Sequence, residues 1–235
     1  MTTPDYSLLL DQPLGQLARR LPGATGVFHD FRLDFCCGGR HTLREAAAEK
    51  GVDALAVASR LQALQGVAGR DGEDWAQVPA DRLVDHILAR YHARHREQLP
   101  ELVRLARRVE HVHGDSADCP HGLADHLEAM QQELESHMQK EEQVLFPLLL
   151  AGEGREPEGP VGVMRAEHDQ HGVELRRLEA LTNDITLPRA ACNTWRALYL
   201  GLATLREELM DHIHLENNIL FEGLNPLREP AAEPA

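Results

Sequence analysis

Aromatic side chains make up only 4% of this 235-residue chain, a scarcity that argues against a sheet-based core, since strands draw heavily on aromatic and β-branched residues. Cysteines number four and two of them are neighbours, too few for the disulfide framework of a secreted scaffold. Long apolar runs are missing too. The longest, Val144 to Ala151, contains Pro147 and falls far short of the roughly 20 residues that span a bilayer. Met1 to Tyr6 shows neither the basic start nor the apolar run of a signal peptide. Basic charge is in deficit, with 24 Lys and Arg against 38 Asp and Glu, for a net charge of -14. That balance opposes binding to nucleic acid or to an anionic membrane, both of which are polyanions. The absences together predict a protein of the reducing cytoplasm that engages neither nucleic acid nor membrane.

What is abundant is Leu, Ala, Glu and Arg, a helix-forming mixture, and His, at fourteen residues. Residues 1–66 read as a small helical domain. Leu14 to Arg20 stops at Pro22-Gly23, and Thr25 to Leu33 stops before Cys36-Cys37-Gly38-Gly39. Thr42 and Asp53 are placed to cap two further helices, the second with Leu55, Leu61 and Leu64 on one face. Residues 67–79, rich in Gly and charge and ending at Pro79, read as a linker. Four long segments of helical periodicity follow within 80–224: Asp81 to about His111 with Pro100 as a kink, then Gly122 to Leu149, Val161 to Leu181 and Arg189 to Glu222. Residues 225–235 carry three prolines and are expected to form a flexible tail. The fold class predicted is all-α, an antiparallel four-helix bundle with a small N-terminal helical domain.

The bundle sequence repeats itself. His137-Met-Gln-Lys-Glu141, with Leu145-Phe146 beyond it, aligns with His212-Ile-His-Leu-Glu216 and Leu220-Phe221. Upstream, His92-Ala-Arg-His95 aligns with His168-Asp-Gln-His171, and the separations match: 45 residues from His92 to His137, 44 from His168 to His212. The chain thus holds two copies of one helical hairpin, each supplying a His and then His-x-x-x-Glu. Residues four apart share a helix face about 6 Å apart along the axis, so each motif offers an imidazole and a carboxylate to one point. Counting at about 1.5 Å per residue returns His92 and His137 to one level. The second hairpin closes only if its loop, Asn183 to Arg189, runs extended.

Related by a pseudo-two-fold axis, the halves provide four imidazoles and two carboxylates, enough for two metals with two His each and Glu141 and Glu216 bridging. Mixed nitrogen and oxygen ligation favours iron or manganese over a closed structural zinc site. A ferritin-type site needs Glu-x-x-His pairs, and only Glu110 to His113 has that spacing, at a helix end. Against the metal reading stands the ordinary exposed i,i+4 pair, which two matched motifs with Leu-Phe core positions make hard to sustain. His95 and His171 repeat between halves but sit a turn away, in reach of a supporting or solvent-facing position. Glu133 and Glu167 fit a solvated helix face, or a polar path to the metal. Cys119 and Cys192 have no partner pattern.

These motifs, with Asp34-Phe35-Cys36-Cys37-Gly38-Gly39, Tyr91-His92 through Pro100, Glu167-His168-Asp169 and Met210-Asp211-His212 through Asn218, resemble the hemerythrin-like iron–sulfur cluster repair di-iron proteins of the ScdA/YtfE type. The resemblance covers nearly the whole chain. It implies a hemerythrin-like bundle and a di-iron centre held by His92, His137, Glu141, His168, His212 and Glu216, the two iron ions bridged by carboxylates and an oxo or hydroxo group. It implies repair of clusters damaged by oxidative or nitrosative stress through iron donation, with damaged iron–sulfur proteins as partners. Reduction of nitric oxide to nitrous oxide at the di-iron centre, which would make the protein an enzyme, is an alternative. Oxygen binding or sensing is another, so nitric oxide and oxygen are the small ligands to consider, and a homodimer is compatible with the sequence. Cys36 and Cys37 then become a thiol site, in need of a low-pKa thiolate near Arg40 and His41. The other reading of the pair is two small residues filling a helix corner.

Overall fold

The computed structural model describes residues 6–21, 23–65, 74–153 and 159–223, and every regular element among them is helical. The chain forms two compact units, Met1–Leu83 with Met210–Ala235, and Val84–Leu209.

The first unit opens with α1 (Ser7–Leu10), α2 (Leu14–Arg20), α3 (Ala24–Phe31), α4 (Leu43–Lys50) and α5 (Ala54–Gln65). Thr42 starts α4 with a reciprocal capping box: its hydroxyl accepts the Glu45 amide, and the Glu45 carboxylate accepts the Thr42 amide. Asp53 accepts the Leu55 amide and starts α5. Leu55 itself is 54% exposed, contrary to the sequence expectation. A helix turns 100° per residue, which puts Val57, Ala58 and Leu61 on the core face, joined by Leu64. Leu14, Leu17, Phe28, Leu33 and Phe35 complete this core. Residues 67–73 of the expected linker and the whole expected tail, 225–235, lie outside the described residues; 74–79 form a turn before α6 (Ala80–Ile87).

The second unit is a four-helix bundle. After α6 comes one π-helical turn, Leu88–His92, then α7 (Ala93–His113), α8 (Leu123–Lys140), a second π turn at Glu141–Leu145, α9 (Phe146–Leu150), α10 (Pro160–Leu181) and α11 (Asn193–Leu215); from Met210 the end of α11 and the third π turn, Glu216–Leu220, belong to the first unit. Side-chain pairs show the order and direction. Arg96 meets Glu135 while Arg107 meets Glu128, so α7 and α8 run antiparallel. His126 reaches the Glu174 carbonyl and His137 meets Glu167, which sets α8 antiparallel to α10. Arg90 meets Glu208 and Gly201 lies against Leu102, which closes α11 onto α7.

Three sequence expectations need correction here. The irregularity in the first bundle helix falls at 88–92 and not at Pro100, which lies inside α7 on an exposed face, where the carbonyl its ring frees can bind water. The loop after α10 is not extended throughout: Asn183, Asp184 and Ile185 all take left-handed backbone, with φ of 48°, 59° and 52°. The Thr182 hydroxyl accepts the Ile185 amide and holds that turn. In consequence α11 starts at Asn193, four residues after the expected Arg189.

Candidate metal centre

Within the bundle unit the sequence-predicted donors His92, His137, Glu141 and His168 converge, each at most 1% exposed. His92 closes the first π turn, Glu141 opens the second, His137 lies one α-helical turn before Glu141, and His168 sits mid-way along α10. The Glu141 carboxylate stands between two rings, with Oε2 3.4 Å from His92 Nε2 and Oε1 3.3 Å from His137 Nε2. His168 Nε2 is 3.0 Å from His137 Nε2. His137, Glu141 and His168 offer ligand atoms within 4.8 Å of one another.

The outer faces of the rings decide what their inner nitrogens are. His92 Nδ1 lies 2.8 Å from Glu142, and His137 Nδ1 lies 2.8 Å from Glu167. Burial pushes both carboxyls up, but hydrogen bonds from Arg96 and His92 at Glu142, and from Lys140 and His137 at Glu167, outweigh it and hold them below the ordinary range. An ionised carboxylate only accepts, so each Nδ1 donates and each Nε2 of a neutral ring is left with a lone pair. The His92 lone pair faces Glu141 Oε2, His137 Nε2 lies between Glu141 Oε1 and His168 Nε2, and neither Glu141 oxygen receives a hydrogen bond. Lone pairs aimed at a buried anion repel, and a buried carboxylate without a partner costs several kcal/mol. A cation among these atoms removes both penalties, so the residues fit a metal of mixed nitrogen and oxygen ligation.

The first unit holds the repeat counterpart. His212 Nε2 lies 3.1 Å from Glu216 Oε1, against 3.3 Å for His137 and Glu141, and both residues are buried. Glu216, like Glu141, opens a π turn, and the Leu-Phe positions that follow, Leu145-Phe146 and Leu220-Phe221, are core residues in both copies. A π turn takes one extra residue, which re-aims the side chains around it, and such turns recur at functional sites. Sequence reading found the ligand spacing and missed these turns.

Other candidates resolve as follows. His95 is buried with Nδ1 3.0 Å from the Gln98 amide nitrogen, and the His171 ring packs edge-on against His137 at 4.9 Å. Glu133 is on the exposed face, whereas Glu167 holds His137. Glu142, equally important, passed unremarked in the sequence, although it follows Glu141 directly. Glu110 accepts the Ala124 amide at the start of α8, and His113 lies 3.3 Å from Cys192 Sγ, so the Glu110–His113 pair serves two separate structural contacts and Cys192 does have a partner.

Cys36 is buried and Cys37 partly exposed, and neither is in a disulfide. The Cys37 thiol, then burial, push Cys36 well above the ordinary thiol range, opposite to the expected thiolate. His41 is 3.9 Å from Glu49, its one ion-pair partner among the described residues.

Comparison with known proteins agrees with this geometry. Residues 83–224 match the Hemerythrin HHE cation binding domain, and residues 10–65 match a Domain of Unknown function, DUF542. An iron-sulfur cluster repair protein YtfE of Yersinia pseudotuberculosis serotype O:1b is 51% identical over 211 residues, covering 90% of this chain and 95% of that protein. The protein of the same name from Yersinia pestis strain Pestoides F shows the same 51% identity and the same coverage. No helix among the described residues is long and apolar enough to cross a membrane.

Proposed function

Because the chain belongs to the YtfE family of iron–sulfur cluster repair proteins, built on the Hemerythrin HHE domain, we propose that it repairs damaged clusters by giving up iron from a buried imidazole–carboxylate centre. In this reading His92, His137, Glu141, His168, His212 and Glu216 hold two iron ions, and Glu141 and Glu216 are shared between them. Support within each unit is the same arrangement, a buried His-x-x-x-Glu pair with the imidazole Nε2 3.3 Å from the carboxylate at His137 and Glu141 and 3.1 Å from it at His212 and Glu216. The observation that carries the reading is Glu141, with both oxygens buried, no hydrogen bond to either, and an imidazole Nε2 3.4 Å from one and 3.3 Å from the other.

Iron is the cargo here, and its place as cargo follows from the donor set. Imidazole and carboxylate bind Fe2+ less tightly than the thiolates of a cluster protein, so iron held this way can leave. The chain's own residues fix the rings through Glu142 and Glu167 and keep water from the carboxylates. Damaged iron–sulfur proteins, after oxidative or nitrosative stress, are the recipients, and the reducing cytoplasm is the compartment in which two adjacent thiols stay reduced. Cys36 and Cys37 serve as a thiol site held against the last π turn, where the Asn217 amide, next in sequence to Glu216, donates to the Cys36 carbonyl at 3.3 Å. The names carried by the relatives favour neither nitric oxide reduction nor oxygen carriage.

Anaerobic incubation of the iron-labelled protein with an apo cluster protein tests this. Label should enter rebuilt clusters faster than from an equal amount of free ferrous iron. A rate equal to that of free iron overturns the donor reading.

A further inference from the structure

The first unit carries a separate group of donors, Asp34, Cys36 and Cys37, whose ligand atoms all lie within 4.8 Å of one another. Cys36 Sγ is 3.7 Å from Cys37 Sγ and 3.3 Å from Asp34 Oδ1. Two sulfurs bound at about 2.3 Å to one tetrahedral metal stand about 3.8 Å apart, and a sulfur and a carboxylate oxygen stand about 3.6 Å apart. These two separations differ from those by a few tenths of an ångström, and all three donors lie close enough for a single cation to reach them.

The turn is also held in place independently of any cation. Asp34 Oδ1 accepts the Cys37 and Gly38 amides, each at 3.0 Å, which fixes the carboxylate above the thiols. A Cβ at Gly38 would lie 2.7 Å from the Asp34 carbonyl oxygen, and one at Gly39 would lie 2.6 Å from the Phe35 carbonyl oxygen. Only glycine permits so close a backbone approach. From the last π turn, Asn217 and Asn218 donate to the carbonyls of Cys36 and Phe35. Adjacent cysteines would close a strained ring as a disulfide, so the pair is kept as two thiols. Cys36 is buried whereas Asp34 and Cys37 are partly exposed, so one side of the group opens to solvent and leaves a coordination position for exchange.

We propose that Asp34, Cys36 and Cys37 bind one thiophilic divalent cation. Binding forms two metal–sulfur bonds and one metal–oxygen bond and releases the two thiol protons to water, with no change of oxidation state. The site is read from its own donors and stands whether or not the histidine centre donates iron.

Co2+ serves as the probe, added anaerobically to the full-length, iron-loaded protein. One equivalent should give a thiolate-to-Co2+ charge-transfer band, accompanied by release of two protons, with the iron content unchanged. Excess Zn2+ should erase the band, because Zn2+ binds thiolate more tightly. Cys36→Ser and Cys37→Ser should each abolish it; Cys37 is partly exposed, so its variant reports even where the buried Cys36→Ser fails to fold. Asp34→Asn keeps an oxygen for the Cys37 and Gly38 amides but removes the charge, and should weaken binding by about tenfold. A wild-type protein without the band, or a band that persists in Cys37→Ser, overturns the site.

Discussion

An imidazole binds metal well only when its other nitrogen is committed elsewhere, and here that commitment is visible in Glu142 at His92 and Glu167 at His137. Glu142→Gln and Glu167→Gln should each reduce iron retention by about 10-fold to 100-fold, read as iron remaining after dialysis against a chelator. Far-UV circular dichroism should be unchanged, since neither carboxylate is core. A second residue-scale expectation concerns Cys192. It is exposed, sits just before α11, and has its thiol lowered to about 7, first by the Trp195 amide and then by His113. A lowered thiol pKa means more thiolate at a given pH, so alkylation of Cys192 should rise through about pH 7. Cys119, pushed upward by burial and the Glu110 charge, should lag, and peptide mapping after a short iodoacetamide pulse checks the order. Cys192 and His113 are 79 residues apart, which is why no sequence pattern announced them.

At the scale of elements, the chain relies on turns whose geometry is specified by one or two residues. The capping box at Thr42 satisfies two amides at once, and Thr42→Ala should cost about 1 kcal/mol in chemical denaturation. Gly39→Ala should cost more, about 1–3 kcal/mol, because the added carbon meets the Phe35 carbonyl and the Asn218 side chain, and the backbone cannot move aside cheaply. The caps were legible because Thr-x-x-Glu is a local signal. The π turns were not, because an extra residue in a helix leaves the hydrophobic pattern nearly intact; Glu141–Leu145 and Glu216–Leu220 look in sequence like continued α-helix. The Asn183–Ile185 turn was illegible for a related reason. Asn and Asp tolerate left-handed backbone, but Ile185 does so only because Thr182 and the packing around it impose it.

For the whole molecule, the consequence of burying so many donors is that metal and fold are linked. Donors that face one another without a cation destabilise the folded chain, and iron binds that state and not the unfolded one. Iron loading should therefore raise the thermal midpoint, by the equivalent of about 2.7 kcal/mol when free iron exceeds Kd a hundredfold, and a strong chelator should lower it. His137→Ala should lose most of the bound iron, whereas Cys36→Ala should keep nearly all of it, as iron analysis of anaerobically purified protein will show.

Periodicity, caps and the duplicated His-x-x-x-Glu motif lie in local sequence, where residues three and four apart are necessarily neighbours. The sequence alone therefore determined an all-helical chain, two matched hairpins and the identity of the candidate donors. Tertiary structure decided what depends on residues far apart in the chain: that Glu142 and Glu167 orient rings on other helices, that His113 meets Cys192, and that Asn217 and Asn218 clamp the Cys36-Cys37 turn. Long-range partners are selected by packing, and packing leaves no periodic mark in the sequence.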